Sequence, residues 1–158
     1  MEKISLKNEN LEKFEIYDTE GNFTGNYLTF DLEDIELPLI YQDLLEKQEK
    51  NKTWYNEKMV ILNKKQDTKT KNGFSTKQIE SYKILKEFFE KEKEIYNMFL
   101  GENGVEKLLN GRKLGWTTLM EIDELIEKQI LPKLNINMNN ITNKIKNKYK
   151  LKEENTLE

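Results

Sequence analysis

Cysteine and histidine are both missing from these 158 residues, and of the 26 basic side chains all but Arg112 are lysine. Without cysteine there are no disulfides and no thiolate ligands, which fits a reducing compartment; without histidine the commonest metal ligand and general base are gone. Most familiar hydrolase and zinc chemistries are closed as a result, and neither a metal nor a cofactor is expected. The shortage of arginine matters as well, because bidentate phosphate and base-edge recognition favours guanidinium over ammonium. A nucleic-acid partner is therefore not expected. No apolar run approaches the ~20 residues that span a bilayer, and the opening MEKISLKNENLEKF has no hydrophobic stretch of the signal-peptide kind. The expectation is a cytoplasmic protein with no membrane partner, in which Asn-x-Thr at Asn22, Asn51 and Asn140 stays unglycosylated.

What is present is charge, 35% of residues, and a hydrophobic class of 36% that is grouped rather than scattered. Residues 1–40 hold ten acids against three lysines, whereas five lysines crowd into 144–152. The length suits one domain. The fold class expected is α+β and predominantly α-helical: an N-terminal β-hairpin within 1–31, a bundle of about four helices, and a flexible basic tail over 135–158. The hairpin is read from "KFEIYDTEGNFTGNYLTFDL", where Phe14 and Ile16 alternate before a turn at 18–21 and Phe23, Tyr27 and Phe30 follow it. Residues 3–6 are a candidate third strand, since a lone two-stranded hairpin is marginal.

The first helix is expected over 38–64, opened by Pro38 at its first turn. Its stripe is Leu44, Tyr55, Met59 and Leu62, with Trp54 alongside; "EKQEKNK" at 46–52 contains nothing apolar, so the middle should lie in water. A second helix over 75–100 announces its start, because Ser75 and Gln78 have capping-box spacing and Phe74 with Ile79 fits a hydrophobic staple. Tyr82, Leu85, Phe89 and Tyr96 recur at helical spacing, flanked by Phe88, Ile95 and Phe99. Such a stripe is core, or else a groove offered to a partner. A fourth helix over 117–131 is read from a second capping-box spacing at Thr118 and Glu121, the apolar run Leu119, Ile122, Leu125, Ile126 and Ile130, and a stop at Pro132. Asp123, Glu124 and Glu127 on it read as a solvated face rather than an acid/base pair. Beyond it, Ile141, Ile145 and Tyr149 suggest a weak helix that firms on contact.

Between the second helix and this one lies "FLGENGVEKLLNGR" at 99–112, with three glycines around one short helix at 103–110. A phosphate-binding loop needs G-x-x-x-x-G-K-[ST] after a strand, and neither the spacing nor the strand is there. The glycines read as corners: Gly101 as a left-handed helix end, Gly104 permitting the turn, Gly111 ending the short helix.

The order of these parts resembles the tail assembly chaperones of long-tailed bacteriophages. An acidic aromatic hairpin with "FDLEDIELPL", two long charged helices, Phe99, Gly101, Glu102, Gly104, Leu109, Gly111 and Arg112 in sequence, and a closing helix ending in "ILPKL" together carry the likeness over 14–134. Each motif is short; their order and spacing make the resemblance. It implies a non-enzymatic protein of the infected host's cytoplasm that coats and solubilises the tape measure protein, recruits the major tail tube protein, and is missing from the finished virion. Self-association and a frameshifted longer form are further features it allows. Gly101, Gly104, Gly111 and Arg112 would be structural motif positions. Tyr82, Phe89, Tyr96, Phe99, Leu108 and Trp116 are the candidates for partner contact, each also readable as core. The basic segment 144–152 is outside the shared pattern. The alternatives are a structural tail or head–tail connector protein, or a small helical adaptor or inhibitor.

Overall fold

The computed structural model describes residues 1–7, 9–135 and 143. The alternation in 11–31 becomes an antiparallel hairpin of β1 (Leu11–Tyr17) and β2 (Phe23–Asp31). Its turn is held by the Asp18 carboxylate, which accepts from the backbone N–H groups of Glu20 at 2.9 Å and Asn22 at 2.8 Å. The period of two puts Ile16, Leu28 and Phe30 on a buried face and Tyr17, Phe23 and Tyr27 on the open one. Residues 3–6 add no third strand; Ile4 and Leu6 are fully exposed. The hairpin is stabilised by packing its inner face on helices instead, which relieves a two-stranded sheet of the need for a neighbour.

Two long helices follow, α1 (Leu37–Asn63) and α2 (Thr76–Leu100), then the short α3 (Gly104–Leu109) and α4 (Trp116–Leu125). This is the α+β, mainly helical arrangement expected, with boundaries shifted by a residue or so. The α2 start is as read: Ser75 accepts from the Gln78 N–H at 3.0 Å, and Gln78 returns a bond to the Ser75 N–H at 3.1 Å. Phe99 marks where the layers meet, its ring 5.3 Å from Phe30 of the hairpin and 5.3 Å from Tyr41 of α1. Around it Leu100, Val105, Ile122, Ile126 and Ile130 close the core.

Four local expectations are corrected. Gly101 does end α2, but with φ 97° and ψ 177°, an extended mirror-image conformation rather than the left-handed helical one. The left-handed residues are Asn103 and Asn110, which bracket α3. Gly104 is required by proximity instead of turning: a Cβ there would lie 2.5 Å from the Leu100 Cβ. At α4 the helix begins at Trp116, and Thr118 is its third residue, its hydroxyl accepting from the Gly115 N–H at 2.8 Å. Glu121 therefore forms no box with Thr118. Pro132 does not stop the chain either: a π-helical turn over Ile126–Ile130 intervenes, the Leu131 N–H reaching back to the Ile126 carbonyl, and helical backbone runs through 131–135. The widened turn supplies room for a ring that would collide with a regular ladder. The flexible basic tail over 135–158 lies outside the described residues, apart from helical positions 135 and 143.

Asn97 is a joint the periodicity did not reveal. Its Oδ1 accepts from the Val105 N–H at 2.8 Å and its Nδ2 donates to Glu106 Oε1 at 2.9 Å, so α2 caps α3, whose own Asn103 makes no side-chain cap. The same bond holds the Glu106 carboxyl below the usual carboxylate range. Asn97→Ala should cost about 1–2 kcal/mol, read as a lower urea midpoint with unchanged slope.

Candidate functional site

The first turn of α4 carries Trp116 onto the two long helices. Its ring centroid lies 4.9 Å from Phe89, 5.3 Å from Phe88 and 5.9 Å from Tyr55, yet 49% of the residue stays accessible. One turn on, Met120 is 68% exposed; seven residues before Phe89 on the same face of α2, Tyr82 is 66% exposed. Lys86 and Lys93 alternate with Tyr82 and Phe89 along that face, setting ammonium groups on long apolar stems beside open aromatic surface. Elsewhere between the two long helices, Lys91 Nζ sits 3.6 Å above the Trp54 ring. A half-exposed indole on a rigid aromatic base is a surface that can accept an apolar side chain without reorganising.

Of the six residues expected at a partner surface, Tyr82, Phe89 and Trp116 belong to this shoulder. Leu108 lies elsewhere, in a groove of about 650 Å³ between the hairpin and α3–α4 that Ile16, Leu28, Ile122 and Leu125 also line. Arg112 stands at its rim, 3.6 Å from Glu121 across two exposed side chains, a pair worth little in water. Lys133 and Glu12, 2.9 Å apart, lie on the hairpin side. Tyr96 and Phe99 are corrected to core: Tyr96 is fully buried and Phe99 nearly so, because the turn of α2 that carries them runs under both the hairpin and α4. Burial comes first in pushing the Tyr96 phenol up, and Asp123, which accepts its hydrogen bond, adds to the shift. Tyr96 is thus a neutral donor throughout the physiological range.

That bond also places Asp123 partly inside, away from the solvated face expected of it, while Glu124 pairs with Lys128 at 3.3 Å and Glu127 stays exposed. Among the described residues no three His, Cys, Asp or Glu side chains converge as a metal site. No helix among them is long and apolar enough to cross a membrane.

The middle of α1 holds the largest surprise. Asn51, within the run expected in water, is buried against Glu92 of α2, which is fully buried. Sequence did carry a signal: Asn51 falls seven residues after Leu44 and four before Tyr55, and Glu92 four after Phe88 and four before Tyr96. Both occupy the apolar stripe, where their polarity hides them from a reading of apolar periodicity. Met120 lies outside every spacing the sequence analysis draws on. The chain matches no protein-family model, no curated protein and no solved structure.

Proposed function

We propose that this chain is a phage tail assembly chaperone, a non-enzymatic holder of the tape measure protein that also recruits tail tube subunits. The observation that carries this reading is the half-exposed Trp116, set on Phe89, Phe88 and Tyr55 and continued by Met120 and Tyr82. Exposed Trp and Met on a rigid base are costly to leave in water without a purpose, and an amphipathic helix laying its apolar seam across them is a recurring answer. A tape measure protein presents such a seam until the tube encloses it. Lysines interleaved with the aromatics keep the free chaperone from self-adhesion and let the contact remain reversible.

The order of motifs from the hairpin through Phe99, Gly101, Glu102, Gly104, Leu109, Gly111 and Arg112 supports the same reading. Leu108, in the second groove, offers a place for a tube subunit or a neighbouring copy. On this account the protein works in the cytoplasm of the infected host and leaves before the tail is finished. Mass spectrometry separates it from a structural component: the chain should be abundant in infected lysates and missing from purified virions. Recovery from virions at the copy number of a ring or connector would replace the chaperone reading with a tail terminator or head–tail connector.

A further inference from the structure

The Asn51 amide donates twice, to the Phe88 carbonyl at 3.1 Å and to Glu92 Oε2 at 2.9 Å. Both partners are acceptors, so the amide has one possible orientation; reversed, its own oxygen would face two oxygens. Two buried atoms are then left without a partner, Asn51 Oδ1 and Glu92 Oε1. With Glu92 ionised, both are acceptors, and nothing within the pair can satisfy either. The buried charge has no counter-ion among the described residues, since no ion pair there involves Glu92.

We infer that Glu92 is a neutral carboxylic acid in the folded protein, its Oε1 proton given to Asn51 Oδ1, so that the two side chains form a two-bond acid–amide latch between α1 and α2. One hydrogen turns Oε1 from an orphan acceptor into the donor that Oδ1 lacks, and removes an uncompensated charge from the interior. The charged and titratable groups facing the pair divide. From α4 the Asp123 carboxylate disfavours a second negative charge; from α2 the Tyr96 phenol, already bonded to Asp123, adds none; from α1 Lys52 favours ionisation but is itself exposed and solvated. Burial, the foremost influence, raises the Glu92 carboxyl above its ordinary 4.5, against the smaller opposing pulls of the Asn51 bond, of Lys52 and of the Gln48 amide.

The sign of the pH dependence follows. The folded chain holds this proton more tightly than the unfolded one, so the latch contributes fully below pH ~4.5 and is lost as pH rises through the raised folded value. Within that window each pH unit costs about tenfold in the folded-to-unfolded ratio, or roughly 3–6 °C of melting midpoint for a chain of this size. The helical hairpin is thereby a device that tightens on mild acidification and loosens on alkalinisation.

The test compares the full chain with Glu92→Gln, which carries a permanent donor and acceptor in the same shape. Glu92→Gln should melt at or above the wild type at pH 8, and the gap should shrink toward zero as pH falls to 5. The wild-type spectrum should show one glutamate side-chain carboxyl carbon at the protonated position at pH 6, lost in the variant. A Glu92→Gln protein that melts lower at pH 8 or fails to fold, a gap that does not change with pH, or a Glu92 carbon at the ionised position at pH 6 would each overturn the inference.

Discussion

The full chain carrying Tyr96→Ala should lose about 3–5 kcal/mol of unfolding free energy, the usual consequence of deleting a large aromatic ring from a closed interior. A single domain has on the order of 5–15 kcal/mol to lose, so this substitution should leave the protein barely folded at 37 °C. Tyr96 is fully buried, and its phenol donates to Asp123, joining α2 to α4 across 27 residues of chain. Tyr96→Phe separates the two contributions. It keeps the ring and removes only the donor, leaving Asp123 short of one bond, for a cost of about 1–2 kcal/mol. Urea titrations of the three proteins read both values. Equal and small losses for the two variants would mean that Tyr96 lies at the surface, as the partner-contact alternative in the sequence had it.

That alternative shows where reading from sequence reached and where it stopped. The hairpin was legible because Phe14 and Ile16 alternate ahead of an Asp-initiated turn and β-branched and aromatic residues follow it. The start of α2 was legible because Ser75 and Gln78 are chemically specific to a helix end. Along α2, however, a broad apolar face does not say which part lies under another element. Tyr82 and Tyr96 have the same spacing in the stripe, yet one projects beyond α4 and the other sits beneath it. Only the tertiary course of the chain, set by the corner at Gly101 and the Asn97 cap, decides between them.

The polar core was hidden for a different reason. Polarity normally marks a solvated residue, and Asn51 and Glu92 lie within lysine- and glutamate-rich runs. Their positions on the apolar stripe outweighed their chemistry because each brings the other a partner. Pro132 was read as a stop from its missing N–H; the π turn before it shows that a helix can widen to admit a proline where the flanking Ile126, Ile130 and Leu134 are buried strongly enough to hold the element together.

The second large effect concerns the shoulder itself. Trp116→Ala with Met120→Ser removes the part of the surface that α4 supplies while leaving Tyr82, Phe88 and the core beneath it in place. Truncating a central aromatic anchor commonly costs at least 2 kcal/mol of binding, roughly thirtyfold or more in affinity. The double variant should therefore retain a cooperative melting transition and lose its partner. Tyr96→Phe, altered in the core and unaltered at the surface, serves as the matched control and should bind as the wild type does.

The central claim is that this protein lends an apolar surface to another protein's helix for a time. Co-expression of the full chain with a tape measure protein of a long-tailed phage tests that claim most directly. The account predicts that the tape measure protein becomes soluble and co-purifies with the wild-type chain and with Tyr96→Phe, and falls back into the insoluble fraction with the Trp116→Ala, Met120→Ser variant. A tape measure protein that stays insoluble beside the wild-type chain, or that co-purifies equally well with the double variant, would contradict it.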